Sequence, residues 1–351
     1  MPRPADDMPG NRHPAPETAP QTVTAYDVAA LAGVSQSAVS RAFTAGASIS
    51  PIKRRKVVEA AEALGYRPNL LARSLTTRRS NLVGLAAGNL ENPLFTTFLD
   101  ALSSRLSDAG LRLLMFTARV GAQVDAQIEE ILHYRIDALV LISTFMSDRL
   151  AAQCDSAGVS TIFINRTPTD IGRTCSITGE NAIGARAIAA HLLEQGYRRP
   201  AFMAGITESL TSSEREAAFT AHLLAQGLPA PLREEGLFTR AGAMNAMRRL
   251  LSHPERPDAV FCASDHMACA AIDVARSEFG FEPGRDIGIA GFDDVPIAGW
   301  PSYALTSYAL PVDTLADTTV RLILNYDTVP AAERRTTIPG RIMLRDSTRR
   351  G

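Results

Sequence analysis

From residue 81 onward the chain repeats one pattern. Short apolar runs, NLVGLAAG, LRLLMF, DALVLI, STIFIN, CSIT, PAFMAG, EEGLF, DAVFCA and DIGIAGFDD, alternate with stretches whose apolar residues recur every three or four positions. Unbroken apolar runs are strands covered on both faces, and the periodic stretches are the amphipathic helices that cover them. Helices read most plainly over residues 123–134, 181–195, 212–226, 241–251 and 265–279. Such alternation predicts parallel sheets with helices on both faces. The strands outnumber what one compact sheet takes, so two doubly wound subdomains are expected.

The pattern before residue 81 is different. VTAYDVAALAGVSQSAVSRAF, residues 23–43, reads as two short helices around a glycine. Thr24 and Asp27 have capping-box spacing, Val28 and Leu31 give an apolar face, and Gly33 is a stop. Ser35 caps the second helix, which places Val39 and Phe43 on one side. Ser50, Pro51 and Gly65 then bracket a third helix, SPIKRRKVVEAAEALG, whose first half is basic and suited to phosphates. Helix, glycine turn, helix is the helix-turn-helix pattern. The second helix of such a unit enters the major groove by its N-terminal half, where Gln36 and Ser37 fall. Gln can pair with adenine, and Arg41, one turn on, can reach guanine or a phosphate.

Charge sharpens this division. Residues 22–80 hold nine Lys and Arg against three Asp and Glu, a net of +6, although the whole chain carries only -1. The tail 1–21 is proline-rich with a net of -1, so residues 81–351 carry -6. A small basic module joined to a larger acidic body points to a nucleic-acid partner for the first. The tail lacks an apolar core, so it is expected to be disordered rather than a signal peptide, and the protein to be cytoplasmic. No run is long enough for a membrane span. Cys154, Cys175, Cys262 and Cys269 sit in apolar surroundings without metal spacing, which predicts buried free thiols. The domains expected are a headpiece over 22–68, a hinge over 69–80 and a core over 81–345. The first subdomain would take 81–164 and 294–325, the second 165–293 and 326–345.

RPNLLARSLTTRRS follows the third helix. Pro68 breaks it and Asn69 can cap a two-turn helix to Leu75, with Arg73, Arg78 and Arg79 around it. An apolar tip flanked by arginines suits a minor groove; a plain linker fits the same spacing. In the core, ligands of open α/β sheets bind beyond the strand C-termini. Asn89, Asn92, Asn165, Arg166, Ser264, Asp265, Asp293 and Asp294 fall there. Carboxylates, amides and a guanidinium suit a polyhydroxylated ligand, with Phe95 and Phe238 for its apolar face. Single polar residues after strands are often only helix caps, as Asp265 would be.

These stretches together, VTAYDVAALAGVSQSAVSRAF, SPIKRRKVVEAAEALGYRPNLLARSL and NLVGL, resemble the LacI/GalR family of transcriptional regulators. The resemblance implies a helix-turn-helix headpiece on a periplasmic-binding-protein-like core with three crossovers. It implies a homodimer on near-palindromic operator DNA, with hinge helices that fold there and Leu75 wedged into the minor groove. The expected DNA set is Thr24, Tyr26, Ser35, Gln36, Ser37, Ser40, Arg41, Asn69, Ala72 and Leu75. The expected effector set is Leu94, Phe95, Asn165, Arg215, Phe238, Ser264 and Asp293, with Arg215 and Asp293 as the gripping pair.

No G-x-S-x-G, Walker A, H-E-x-x-H or post-strand G-x-G-x-x-G occurs, and the histidines are scattered, so neither an enzyme nor a cofactor or metal is expected. The expected function is a repressor controlled by a small molecule, a carbohydrate first. A protein or a phosphorylated metabolite is the alternative effector.

Overall fold

The computed structural model describes residues 23–43, 47–67, 80–88, 90–118, 124–144, 146–166 and 173–350. Asn69, Ala72, Leu75 and Asn89, together with the N-terminal tail, lie outside the described residues. The chain forms two compact units, which meet in sequence at Thr76 and Thr77.

The first unit contains α1 (Ala25–Ala32), α2 (Gln36–Ala42) and α3 (Pro51–Leu64). The backbone N–H and the hydroxyl of Thr24 both donate to the Asp27 carboxylate, at 2.8 and 2.7 Å, which fixes the first turn of α1. Gly33 ends α1 at φ +65°, a left-handed conformation that only glycine adopts freely. The Oγ atoms of Ser35 and Ser50 accept the backbone N–H of Ala38 and Lys53 and so cap α2 and α3. The core is small: Val28, Val39 and Val57, with Ala29, Ala32, Ala42, Ala60 and Ala61. Leu31, expected on the apolar face, is instead 57% exposed. At 3.6 residues per turn Val28, Ala32 and Ala29 define the buried arc, and Leu31 falls beyond its edge. Nor does the whole basic half of α3 face outward. Arg54 donates to the carbonyl of Ala42 at 2.8 Å and closes the end of α2.

The second unit holds two six-stranded sheets. The first sheet is built from β1 (Leu82–Gly88), β2 (Arg112–Ala118), β3 (Ala138–Ile142), β4 (Ser160–Ile164), β5 (Cys175–Gly179) and β11 (Arg335–Ile338). Its order is β11-β5-β4-β3-β1-β2, and every pairing is parallel. The second is built from β6 (Pro200–Ala204), β7 (Leu232–Glu235), β8 (Ala259–Cys262), β9 (Gly288–Asp293), β10 (Thr306–Ala309) and β12 (Arg341–Met343), in the order β12-β10-β9-β8-β6-β7. Only β12 runs antiparallel. Helices α4 (Pro93–Asp108), α5 (Asp125–Leu132) and α6 (Asp148–Ser156) accompany the first sheet. Helices α7 (Asn181–Glu194), α8 (Leu210–Ala225), α9 (Arg240–Ser252) and α10 (Asp265–Phe279) accompany the second. Helix α11 (Val312–Leu324) returns to pack on α4, where Arg105 meets Asp313 at 2.9 Å. The cores are apolar: Leu85, Leu102, Leu106 and Leu139 in the first sheet's layers, and Phe202, Phe219 and Phe261 in the second's, are fully buried. All four cysteines are buried free thiols, as expected.

Two expectations need correction. The subdomain boundaries differ, because the chain changes sheets at Glu180, at Leu310–Pro311 and at Pro339–Gly340. Strands β5 and β11 therefore belong to the first sheet and β10 to the second, where β4 and β9 offer parallel edges to pair with. The strand expected over EEGLF lies earlier, at Leu232–Glu235. Leu237 and Phe238 have φ near +55° and cannot extend it. After β9 the chain continues through β10, α11, β11 and β12, and α11 is an amphipathic helix that buries Leu315, Ala316, Thr319, Val320 and Leu322.

Candidate functional site

In both sheets the strand order reverses next to the first strand, β1 and β6, and the C-terminal ends of the strands face a shared cleft. A cavity of about 220 Å³ fills it. Asn92, Leu94, Phe95, Ser143, Asn165 and Arg166 line it from the first subdomain; the segment 206–211, with Arg215, Phe238 and Asp293, lines it from the second. Six of the seven expected effector residues thus meet in one place. Ser264 does not. It is buried, its Oγ accepts from the N–H of Met267, and it is the cap of α10. Asp265 is no cap. Its carboxylate accepts from Ser307 Oγ at 2.6 Å and Val295 N at 2.9 Å, tying α10 to the ends of β9 and β10. Asp294 turns away to Arg345, at 2.7 Å.

Arg215 is 3% exposed on α8 and is held from three sides. Its Nε donates to Asn181 Oδ1 at 2.9 Å, its Nη1 donates to the carbonyl of Ala263, and its guanidinium lies 3.6 Å from the centre of the Phe292 ring. The third corner, Nη2, is 3.7 Å from Asp293 Oδ1. That is an ion pair but too long for a hydrogen bond. Asp293 Oδ1 is consequently buried with no hydrogen-bond partner, as is Asn165 Oδ1 across the cavity. Burial lifts the Asp293 carboxyl to about 6, against the pull of Arg215 and of the Asn92 side chain. The same burial lowers Arg215 and Arg166. Asp293 and Asp294 both have positive φ, 110° and 53°, an uncommon backbone that aims two consecutive carboxylates in different directions. Phe238 reaches the cavity because Gly205 has no side chain. A Cβ there would lie 2.0 Å from the ring.

The side chains that line the cavity carry two positive charges, Arg166 and Arg215, and two negative ones, Glu208 and Asp293. Both orphaned atoms among them are acceptor oxygens. Such a lining can accept hydrogen bonds at those two oxygens and carries no net side-chain charge of its own. Sequence reasoning missed Ser143 and the segment 206–211. The latter follows β6, so the rule that found Asn165 and Asp293 applies to it equally. The helix expected over 212–226 begins earlier, at Leu210, with Ser209 Oγ as its cap.

In the headpiece, Gln36, Ser37, Ser40 and Arg41 are exposed along α2, while Ala38, Val39 and Ala42 hold its other face in the core. Thr24 and Ser35 are exposed caps, and Tyr26 is 69% exposed on the first turn of α1. A helix with one packed face and one exposed polar face can enter a groove without disturbing its own core. Among the described residues no three His, Cys, Asp or Glu gather as metal ligands, and no helix is long and apolar enough to cross a membrane.

Comparison with known proteins agrees with this division. Residues 24–69 match the bacterial regulatory proteins of the lacI family, and residues 189–348 match a periplasmic binding protein-like domain. The HTH-type transcriptional regulator CelR of Thermobifida fusca is 30% identical over 331 residues, which cover 91% of this chain and 96% of that protein. The ribose operon repressor of Escherichia coli K12 is 28% identical over 315 residues, 88% of this chain and 94% of that one. Among solved structures, the lac repressor dimer bound to operator and the anti-inducer ONPF has a TM-score of 0.82 at 25% identity, covering 94% of this chain and all of that one. A CelR–cellobiose complex has a TM-score of 0.68 at 29% identity, covering 93% and 99%.

Proposed function

The chain belongs to the lacI family of bacterial regulatory proteins, and from that premise we propose that it is a repressor whose hold on operator DNA is set by a neutral carbohydrate in the cleft. One observation carries the ligand class: the two orphaned acceptors, Asp293 Oδ1 and Asn165 Oδ1, belong to residues that line one cavity of balanced charge. Sugar hydroxyls donate to both and accept from Arg215 Nη2, which makes no hydrogen bond to Asp293, and the Phe238 and Phe95 rings cover the C–H face. A phosphorylated ligand would set its dianion against Asp293 and Glu208. CelR is known in a complex with cellobiose, which makes that disaccharide the first probe.

On the DNA side, α2 enters the major groove with Gln36 and Ser37 at base edges and Ser40 and Arg41 behind them. Thr24, Tyr26 and Ser35 contact the backbone from the neighbouring caps. Asn69, Ala72 and Leu75 form the hinge element, with Leu75 as the minor-groove wedge. Two copies on a two-fold axis read a near-palindromic site. The ligand acts by binding one opening of the cleft more tightly than the other, and the DNA prefers one of those openings too.

The test is a thermal-melt panel of neutral mono- and disaccharides and their phosphates, followed by DNA titration with and without the hit. A sugar at about one hundred times its dissociation constant stabilises by roughly 2.7 kcal/mol. The shift disappears in Arg215→Ala while DNA binding persists. A phosphate ester that shifts the melt more than its parent sugar would overturn the assignment of a neutral ligand.

A further inference from the structure

The two subdomains are joined by three strands of chain, and one carboxylate holds all three. Glu180 is itself the first passage, between the end of β5 and the start of α7. Its Oε2 accepts from the hydroxyl of Tyr308 at 3.2 Å, two residues before the second passage, and from the backbone N–H of Gly340 at 3.3 Å, within the third. The joint is packed to match. A Cβ on Gly340 would lie 2.3 Å from the carbonyl of Ala309, and one on Gly184 would lie 2.5 Å from the Tyr308 ring. Burial and the Glu180 carboxylate together push the Tyr308 hydroxyl up to about 12, so it remains a donor at any working pH.

From this joint two short routes lead to the cavity. Asn181, the neighbour of Glu180, is 2% exposed. Its Oδ1 accepts from Arg215 Nε, and its Nδ2 donates to Glu214 at 2.7 Å. That arrangement fixes the amide, because the reversed one would set donor against donor and acceptor against acceptor. Along the second route Tyr308 lies 5.2 Å, ring to ring, from Phe292, whose ring centre lies 3.6 Å from the Arg215 guanidinium. Whatever moves Arg215 pulls on the residue next to the staple and presses on the ring that the staple holds.

We infer that Glu180 is a positioning residue that fixes the angle between the two subdomains, and that Asn181 and Phe292 link this angle to Arg215. The staple stands on the three passages alone; the link to a ligand rests on the function proposed above. The experiment therefore reads the angle without any ligand. Asp148→Cys and Gln226→Cys place spin labels at exposed positions, one on each subdomain, while the four native thiols are buried and stay unlabelled. In this background Glu180→Ala broadens the interlabel distance distribution about twofold, since a joint of packed elements that loses its tie samples more than one angle. Glu180→Gln restores the parent distribution, because an amide oxygen accepts from the same two donors. Tyr308→Phe, which keeps the ring and removes one arm, falls between them and shows the effect even if the alanine variant folds poorly. A Tyr308→Phe distribution identical to the parent's, or a Glu180→Gln distribution as broad as that of a folded Glu180→Ala, overturns the inference. Neither result would touch the sugar panel, which tests the cavity separately.

Discussion

In the proposed function Asp293 is a single side chain that serves binding at the expense of stability. Its carboxyl is raised from 3.8 to about 6 by burial, so the folded protein disfavours its charged form. A raised acid contributes most below its unfolded value, and that contribution is lost as pH rises through about 6. Asp293→Asn should therefore stabilise the unliganded protein at pH 8 by about 1–3 kcal/mol and by much less at pH 4.5, as urea unfolding at the two pH values would show. The same variant should bind a cleft sugar at least tenfold more weakly, because it loses the strongest acceptor. Equal stability at both pH values would mean that the carboxylate is better solvated than its 3% exposure indicates. The residues of this pair were legible in the sequence because Asp293 ends an apolar run and Arg215 matches a family position. Ser264 stands apart from the cavity lining because a polar residue after a strand can either face the cleft or cap the next helix, and this one caps α10.

At the scale of elements, exposure and register decide function. Helix α2 presents Gln36, Ser37, Ser40 and Arg41 on one face, and both its N-cap, Ser35, and the end of the preceding helix, Gly33, were readable in the sequence. Arg41→Ala should weaken DNA binding and, if Arg41 meets a phosphate, reduce the slope of log affinity against log salt by about one. Gln36→Ala should leave that slope unchanged and relax base preference. The turn after β7 was not readable, since LF looks like a continuing strand, yet positive φ at both residues swings Phe238 onto Gly205. Gly205→Ala must push the ring toward the cavity. We expect it to reduce sugar affinity with the fold retained, measurable as a lost ligand-induced melt shift beside an unchanged far-UV spectrum. Passage points between subdomains were equally hidden. Glu180, Pro311 and Gly340 carry no periodic signal, because what selects them is close packing at a joint and not burial of a stripe.

For the molecule as a whole, the strand alternation gave away two parallel-sheet subdomains, but not which strand belongs to which sheet. Pairing β11 with β5 joins residues more than 150 positions apart, beyond the reach of any local pattern. Removing residues 335–351 would uncover the outer edges of β5 and β10 together. The shortened chain should aggregate, even though it loses neither the headpiece nor any cavity residue. The order of synthesis has a further consequence. At ribosomal speeds of about 5–20 residues per second, roughly 8–30 s separate the appearance of β5 from that of β11. Through that interval the nascent protein carries an open parallel edge that nothing yet made can close. That open edge is a ready template for pairing with another chain, and it persists until β11 has been made.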